Sequence, residues 1–183
     1  MSKGKLYVIS GASGVGKSTV LSRVLTARPD IRFSVSATTR PPREGEVDGV
    51  SYYFVTHKTF EEMIAKGEFV EYDAHMKNYY GTPRAQLEEK LAKGDVFLDI
   101  EPNGAFRVKA QRPDAVLIFI APPSFDELER RLRGRGDTDE EQIKLRQDRV
   151  KWEMDQSKKY DHIVINDRVE TCADEILKII SQK

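Results

Sequence analysis

Residues 11–18 read Gly11-Ala12-Ser13-Gly14-Val15-Gly16-Lys17-Ser18: a glycine, four residues, then Gly-Lys-Ser. No other stretch restricts the possible folds as much. The apolar run Leu6-Tyr7-Val8-Ile9 precedes it, and Val20, Leu21, Val24 and Leu25 follow at helical spacing. A strand feeding a glycine-rich loop that opens a helix aims several backbone N–H groups at one point, and the helix N-terminus adds partial positive charge there. This is the P-loop arrangement, with residues 11–18 and Thr19 around the phosphates of a nucleoside triphosphate. Lys17 is expected to reach the β- and γ-phosphates and the Ser18 hydroxyl to meet Mg²⁺. The alternative is a glycine-rich turn with no ligand, which the order of strand, motif and helix disfavours.

At 183 residues the chain is expected to form one domain with a core of its own. Lysines plus arginines equal aspartates plus glutamates, 30 each, so no global charge argues for nucleic acid or a membrane surface. Local clusters must carry any anion recognition. The single cysteine, Cys172, has no partner for an internal disulfide and falls in a helical pattern, which reads as packing in a reducing, cytoplasmic setting. No signal-peptide pattern and no bilayer-length apolar run is present. His57, His75 and His162 are scattered without metal-ligand spacing and read as surface or strand-end residues, so no zinc is expected.

Apolar runs alternate with helical patterns, which predicts an α/β fold: a central parallel sheet covered by helices. Buried strands are expected at 5–10, 95–100, 115–121 and 162–166, with a short fifth near 33–36. Helices are expected at about 17–28, 83–92, 103–111, 124–133, 139–158 and 169–181. Ser124 with Asp126-Glu127 marks the start of the one after Pro122-Pro123.

Residues 38–82 break that rhythm. Short β-like pieces rich in tyrosine flank a helix at about 58–66, with Gly45, Gly49, Gly67 and Gly81 as punctuation. An inserted, partly antiparallel subdomain fits. In 133–139, two glycines lie between and after arginines. Such a cationic turn suits either a lid over phosphates or an ordinary solvated helix connection. Arg40 and Arg43 lie three apart with two prolines limiting the loop between them. Arginine forks bind phosphate oxygens in pairs, so the two suit a second phosphorylated molecule, with Tyr52 and Tyr80 as hydroxyl donors. Taken singly, each reads as readily as a surface arginine or a half-buried tyrosine.

These motifs together resemble the guanylate kinases, P-loop kinases that transfer phosphate from ATP to GMP. The resemblance runs from about Lys5 to the C-terminal helix. It rests on 34–43, 45–52, Asn78-Tyr79-Tyr80-Gly81-Thr82, Asp99-Ile100-Glu101, Gly134-Arg135-Gly136 and Ile165-Asn166-Asp167. It implies a three-layer P-loop NTPase fold with a core of about 1–36, 83–133 and 159–183, a GMP-binding α+β insertion of about 37–82, and a lid of about 134–158. Arg40, Arg43, Tyr52 and Tyr80 would hold the GMP phosphate. Glu71 and Asp99 would accept from guanine N1–H and the 2-amino group, and Ser36 and Thr82 would face O6. Lys17, Arg43, Arg131, Arg135 and Arg146 would surround the transferring group, with Arg135 and Asn166 near the adenine. Asp99 would also reach the Mg²⁺ shell through water. ATP and GMP or dGMP would be the substrates. Closure of the insertion and lid is expected to exclude water.

The chemistry is sound in its own terms. Guanine offers two donors beside a carbonyl, which carboxylates and hydroxyls complement, whereas adenine would leave a carboxylate unpaired. The acceptor phosphate is already a nucleophile, so no general base is required. Family members commonly carry Asp-Ile-Asp, any residue, Gln-Gly where this chain has Asp99-Ile100-Glu101-Pro102-Asn103-Gly104. Pro102 is expected to start the next helix. Glu101, Lys77, Ala12 and Gln147 are further departures, none of which removes a charge or phosphate contact. Two other readings stand beside this one. A catalytically silent binding module of the same fold would show a damaged P-loop. A P-loop kinase for another phosphorylated acceptor, such as a ribose bisphosphate, would have little use for Glu71, Ser36 and Thr82 together. Monomer and homo-oligomer are equally compatible with the sequence.

Overall fold

A computed structural model describes residues 4–75, 77–124, 127 and 140–182. Strand β1 (Leu6–Gly11) is apolar and buried along nearly its whole length, as expected of a strand covered on both faces. Helix α1 (Lys17–Ala27) begins directly after Gly16, whose φ of 88° turns the chain from loop into helix, and buries Val20, Leu21 and Val24. Then come β2 (Arg32–Phe33), β3 (Ala37–Thr38), β4 (Tyr53–Phe54), α2 (His57–Ala65), β5 (Phe69–His75) and β6 (Asn78–Pro83). Helix α3 (Arg84–Lys93), β7 (Val96–Asp99), α4 (Pro102–Gln111) and β8 (Val116–Ala121) follow. The last described elements are α5 (Glu140–Ser157), β9 (His162–Ile165) and α6 (Val169–Ser181).

Five strands form a parallel sheet in the order β2-β7-β1-β8-β9. Arg32 is in register with Val96, and Ile118 with His162. A mixed sheet has the order β4-β3-β6-β5: β3 runs parallel to β4 and antiparallel to β6, and β5 and β6 form an antiparallel pair. No described helix is long and apolar enough to cross a membrane.

Two expectations change. The strand near 33–36 is in fact two short ones. Arg32–Phe33 belongs to the first sheet, and the Ser34 N–H still bonds Phe97 O. By Ser36 the carbonyl accepts from Tyr53 N–H, so the chain crosses between sheets within three residues. The run 162–166 was expected to be buried, but Ile163 and Ile165 are 44% and 46% exposed. The cause is sheet order: β9 is an edge strand, and only Val164 turns into the core. Pro102 does start α4, as expected, occupying the first turn where its missing N–H costs nothing. Ser124 accepts from Glu127 N–H at 3.1 Å, a helix-capping bond. The rest of the helix expected at 124–133 lies outside the described residues.

The chain divides into two compact units, Met1–Val8 with Asp30–Val116, and Ile9–Pro29 with Leu117–Lys183. In the first, a small core of Ala37, Phe60 and Phe69 fills the space under the mixed sheet, with Tyr53, Met63 and Tyr79 packed against it. In the second, α6 lays Cys172, Ala173, Ile176 and Ile180 inward and packs against α1. Burial pushes the Cys172 thiol up to about 12, so it stays neutral and acts as a packing residue.

Candidate active site

The loop after β1 is built as an anion cradle. Gly14 and Gly16 both take positive φ, 82° and 88°, a conformation that costs glycine little and turns successive N–H groups toward one side. Each wall of the loop has a bonding partner. Ala12 N–H bonds Ile120 O at 3.3 Å, and Val15 N–H bonds Ala12 O at 3.0 Å. Ser13 N–H bonds the Glu153 carboxylate at 2.8 Å, and the Asn166 amide donates to Val15 O at 2.7 Å. The N–H groups of Gly14, Gly16, Ser18 and Thr19 take no acceptor among the described residues. These N–H groups cluster in the loop and the first turn of α1, at the partly positive end of the helix. Ser18 is exposed at the first turn of the helix.

The first unit holds the other cluster. Thr38 and Thr39 stitch the loop beginning at Arg40 to β6: Thr38 Oγ1 donates to Tyr79 O at 2.9 Å, and Tyr79 N–H donates to Thr39 Oγ1 at 2.9 Å. Arg40 then meets Glu46 fork to fork, at 2.8 and 2.9 Å, and Glu46 also accepts from Arg43 N–H at 2.7 Å. Arg40 and the Arg43 backbone hold the Glu46 carboxyl down at about 2, and Glu46 raises Arg40 further still. The Arg40 guanidinium lies over the Tyr52 ring at 5.4 Å, and Tyr52 meets Tyr80 edge to face at 6.1 Å. So Arg40, Tyr52 and Tyr80 converge, with the arginine plane fixed before any ligand arrives.

Two residues along β6 from Tyr80, on the same strand face, stands Thr82, in register with Glu71 of β5. Thr82 is fully buried, Glu71 is 6% exposed, and the Thr82 hydroxyl donates to Glu71 Oε1 at 2.6 Å. Burial raises the Glu71 carboxyl above its ordinary value. Thr82 opposes that shift most, and Arg107 more weakly. The Thr82 proton is thus committed to Glu71, which leaves the hydroxyl oxygen only as an acceptor for any further partner. Gly104, in the first turn of α4, backs the carboxylate so closely that a Cβ there would stand 2.6 Å from Glu71 Oε2. Arg107, one turn on, donates to Tyr72 O and anchors α4 to β5.

The comparisons with known proteins are decisive at this point. A sequence model of the guanylate kinase family matches residues 3–183. The chain belongs to the guanylate kinase family. Curated guanylate kinases of Thermus thermophilus and Clostridioides difficile are 47% and 48% identical to it. These alignments span 98% and 99% of this chain and 81% and 89% of theirs. A crystal structure of guanylate kinase from Anaplasma phagocytophilum superimposes with a TM-score of 0.79 at 32% identity, over 98% of this chain and 86% of that one.

Of the residues expected from the guanylate kinase resemblance, Arg40, Tyr52 and Tyr80 form one cluster and Glu71 and Thr82 another. Arg43 is exposed and contributes its N–H to Glu46. Ser36 is half-buried at the crossing between sheets, and Asp99 is half-buried at the end of β7. Asn166 braces the P-loop through Val15 O. Arg146 lies in α5; Arg131 and Arg135 lie outside the described residues. Sequence reasoning gave no role to Glu46, Gly104 or Glu153. Glu46 had a signal, a carboxylate three residues after Arg43 in a quoted motif. Gly104 stood in a quoted motif but its partner Glu71 is distant in the chain, and Glu153 had no signal, for the same reason.

Proposed function

We propose that this chain transfers the γ-phosphoryl group of ATP to GMP, and to dGMP, giving ADP and GDP or dGDP. The buried Glu71 carboxylate carries the reading. An ionised carboxylate at this depth is costly, and a ligand that presents donors to it offsets that cost. The guanine N1–H and 2-amino groups are such donors, and adenine is not. Arg40, Arg43, Tyr52 and Tyr80 take the GMP phosphate, Asp99 and Ser36 complete the base contacts, and Thr82, its proton given to Glu71, favours a guanine donor over O6.

On the donor side, residues 11–19 cradle the ATP phosphates, Lys17 neutralises charge on the transferring group, and Arg131, Arg135 and Arg146 add to that field. Asn166 holds the loop and lies toward the adenine. Mg²⁺ fits the donor set. No described cluster of three acidic or thiol/imidazole ligands offers a cage. The Ser18 hydroxyl beside a phosphate cradle is the sparse oxygen ligation that this ion prefers, with Asp99 acting through water. When bound, it would supply charge neutralisation to the transferring phosphoryl group. Residues 37–82 serve as the acceptor-binding insertion and 134–158 as the lid. A free, buried Cys172 and substrates drawn from the nucleotide pool fit a cytoplasmic enzyme.

The test is ADP formation from Mg-ATP with GMP, dGMP, AMP, CMP, UMP or no acceptor. Activity confined to GMP and dGMP is expected. Equal activity with AMP would remove Glu71 from base recognition, and silence throughout would favour a binding module.

A further inference from the structure

Glu153 is 4% exposed in α5, yet it is a carboxylate set against a loop whose ligand is a polyanion. Its surroundings account for each oxygen. Oε2 accepts Ser13 N–H at 2.8 Å, 140 residues away in sequence, and Oε1 accepts Arg149 Nε at 3.1 Å one turn back along α5. Tyr160, also buried, lies close enough for the Glu153 charge to help burial raise its phenol, while Ser10 at the end of β1 opposes that shift. The carboxylate is therefore fixed beneath the loop and takes one of its N–H groups for itself.

We propose that Glu153 is a positioning residue for phosphate binding: by holding Ser13 N–H it keeps the P-loop open in its ligand-ready shape and sets the register of α5 against it. The proposal rests on the ATP-binding reading of residues 11–19. The geometry shows how a like charge is accommodated at this position. Arg149 balances it, so the field at the cradle is little changed. In return, the loop is braced from both sides. Asn166 takes the Val15 carbonyl and Glu153 takes the Ser13 N–H, leaving Gly14, Gly16 and Ser18 with nothing but the ligand to bond among the described residues. A loop preset in this way does not have to be ordered by the nucleotide, and that ordering cost is removed from binding. The same bond fixes α5 at Glu153, so the register of that helix is tied to the shape of the loop.

Three variants decide it: Glu153→Leu removes the acceptor, Glu153→Gln keeps one, and Val150→Ala opens a cavity one turn away in the same helix, where Val150 is 1% exposed. ADP binding by calorimetry without GMP, and KM for ATP and GMP separately, are the readouts. Glu153→Leu should weaken ADP binding and raise KM for ATP about tenfold or more with KM for GMP unchanged. Glu153→Gln should recover most of that loss, and Val150→Ala should lose stability but keep ADP affinity. Wild-type affinity in Glu153→Leu, or an equal loss in Val150→Ala, would overturn the proposal. If Glu153→Leu does not fold, the Ser13 amide resonance of Glu153→Ala, which also lacks the acceptor, decides. A shift confined to the loop supports the bond as its organiser, and an unchanged resonance refutes it. A wild-type protein that fails to bind ADP at all would instead refute the P-loop reading.

Discussion

Glu71 carries opposite signs for stability and for function. Burial raises its folded pKa above the unfolded value, so the folded state pays to ionise it. Below the ordinary glutamate value of about 4.3 the group is protonated in both states and the penalty vanishes. As pH rises through the raised folded value, stability falls and stays lower. Glu71→Gln keeps an acceptor for the Thr82 hydroxyl and removes the charge. In the absence of nucleotide it should melt above wild type near neutral pH, with the difference shrinking toward pH 4. The same change should raise KM for GMP by about 1.5–3 kcal/mol in free energy, the worth of one charged hydrogen bond, and leave KM for ATP alone. A variant that melts lower at neutral pH and binds GMP normally would make Glu71 a structural residue. Gly104 supplies a second test at this scale. Gly104→Ala puts a methyl group 2.6 Å from Glu71 Oε2, inside any real contact distance, so the carboxylate must shift. Helix propensity favours the alanine by about 1 kcal/mol, so stability should change little while KM for GMP rises. Unchanged GMP kinetics would show that Glu71 needs no fixed place.

At the level of elements, β6 connects the small core to the cluster proposed to hold GMP. Successive residues of a strand face opposite ways, so Tyr79 packs on Phe60 with ring centroids 5.2 Å apart while Tyr80 turns to Tyr52 and Arg40. Phe60 also stacks on Phe69 at 4.3 Å, and Gly81 leaves room for both rings. Phe60→Ala should cost about 3–5 kcal/mol in denaturant unfolding, the usual range for a buried aromatic. Calorimetry should show it weakening GMP binding with ADP affinity preserved; equal loss of both would mean that α2 supports the whole fold and not this sheet. The sequence made some of these elements visible and hid others for identifiable reasons. Strand β1, the P-loop and α1 were legible because a local motif and a long apolar face agree. The two-residue strands β2, β3 and β4 carry too few residues for a period, and their sheets are set by partners such as Phe97 and Gly81. The exposure of β9 was hidden because an apolar run does not encode its place in the strand order. Arg40, Tyr52 and Tyr80 could be named from a motif, but the depth of Glu71 depends on α4 closing over it, and Glu153 meets Ser13 only through the fold.

For the molecule as a whole, charge and site placement together predict how the two substrates are handled. Thirty basic and thirty acidic side chains give no net field to draw in a polyanion, so affinity must come from local sets of donors. Those sets fall in separate compact units. Gly14, Gly16, Lys17, Ser18 and Glu153 belong to one, and Arg40, Tyr52, Glu71, Tyr80 and Thr82 to the other. Each substrate should therefore bind with the other absent, and each set should be removable without emptying the other. Lys17→Ala should lower turnover by about 10²-fold or more with every acceptor, because it removes charge stabilisation in the transition state. GMP binding, measured alone by calorimetry, should remain at the wild-type value in that variant. Glu71→Gln should give the mirror result, with ADP binding intact and GMP binding weakened. In the double variant GMP binding should fall no further than in Glu71→Gln alone, as independent determinants require. If Lys17→Ala instead weakened GMP binding in the absence of ATP, the two sets would not be independent, and the assignment of one substrate to each unit would fail.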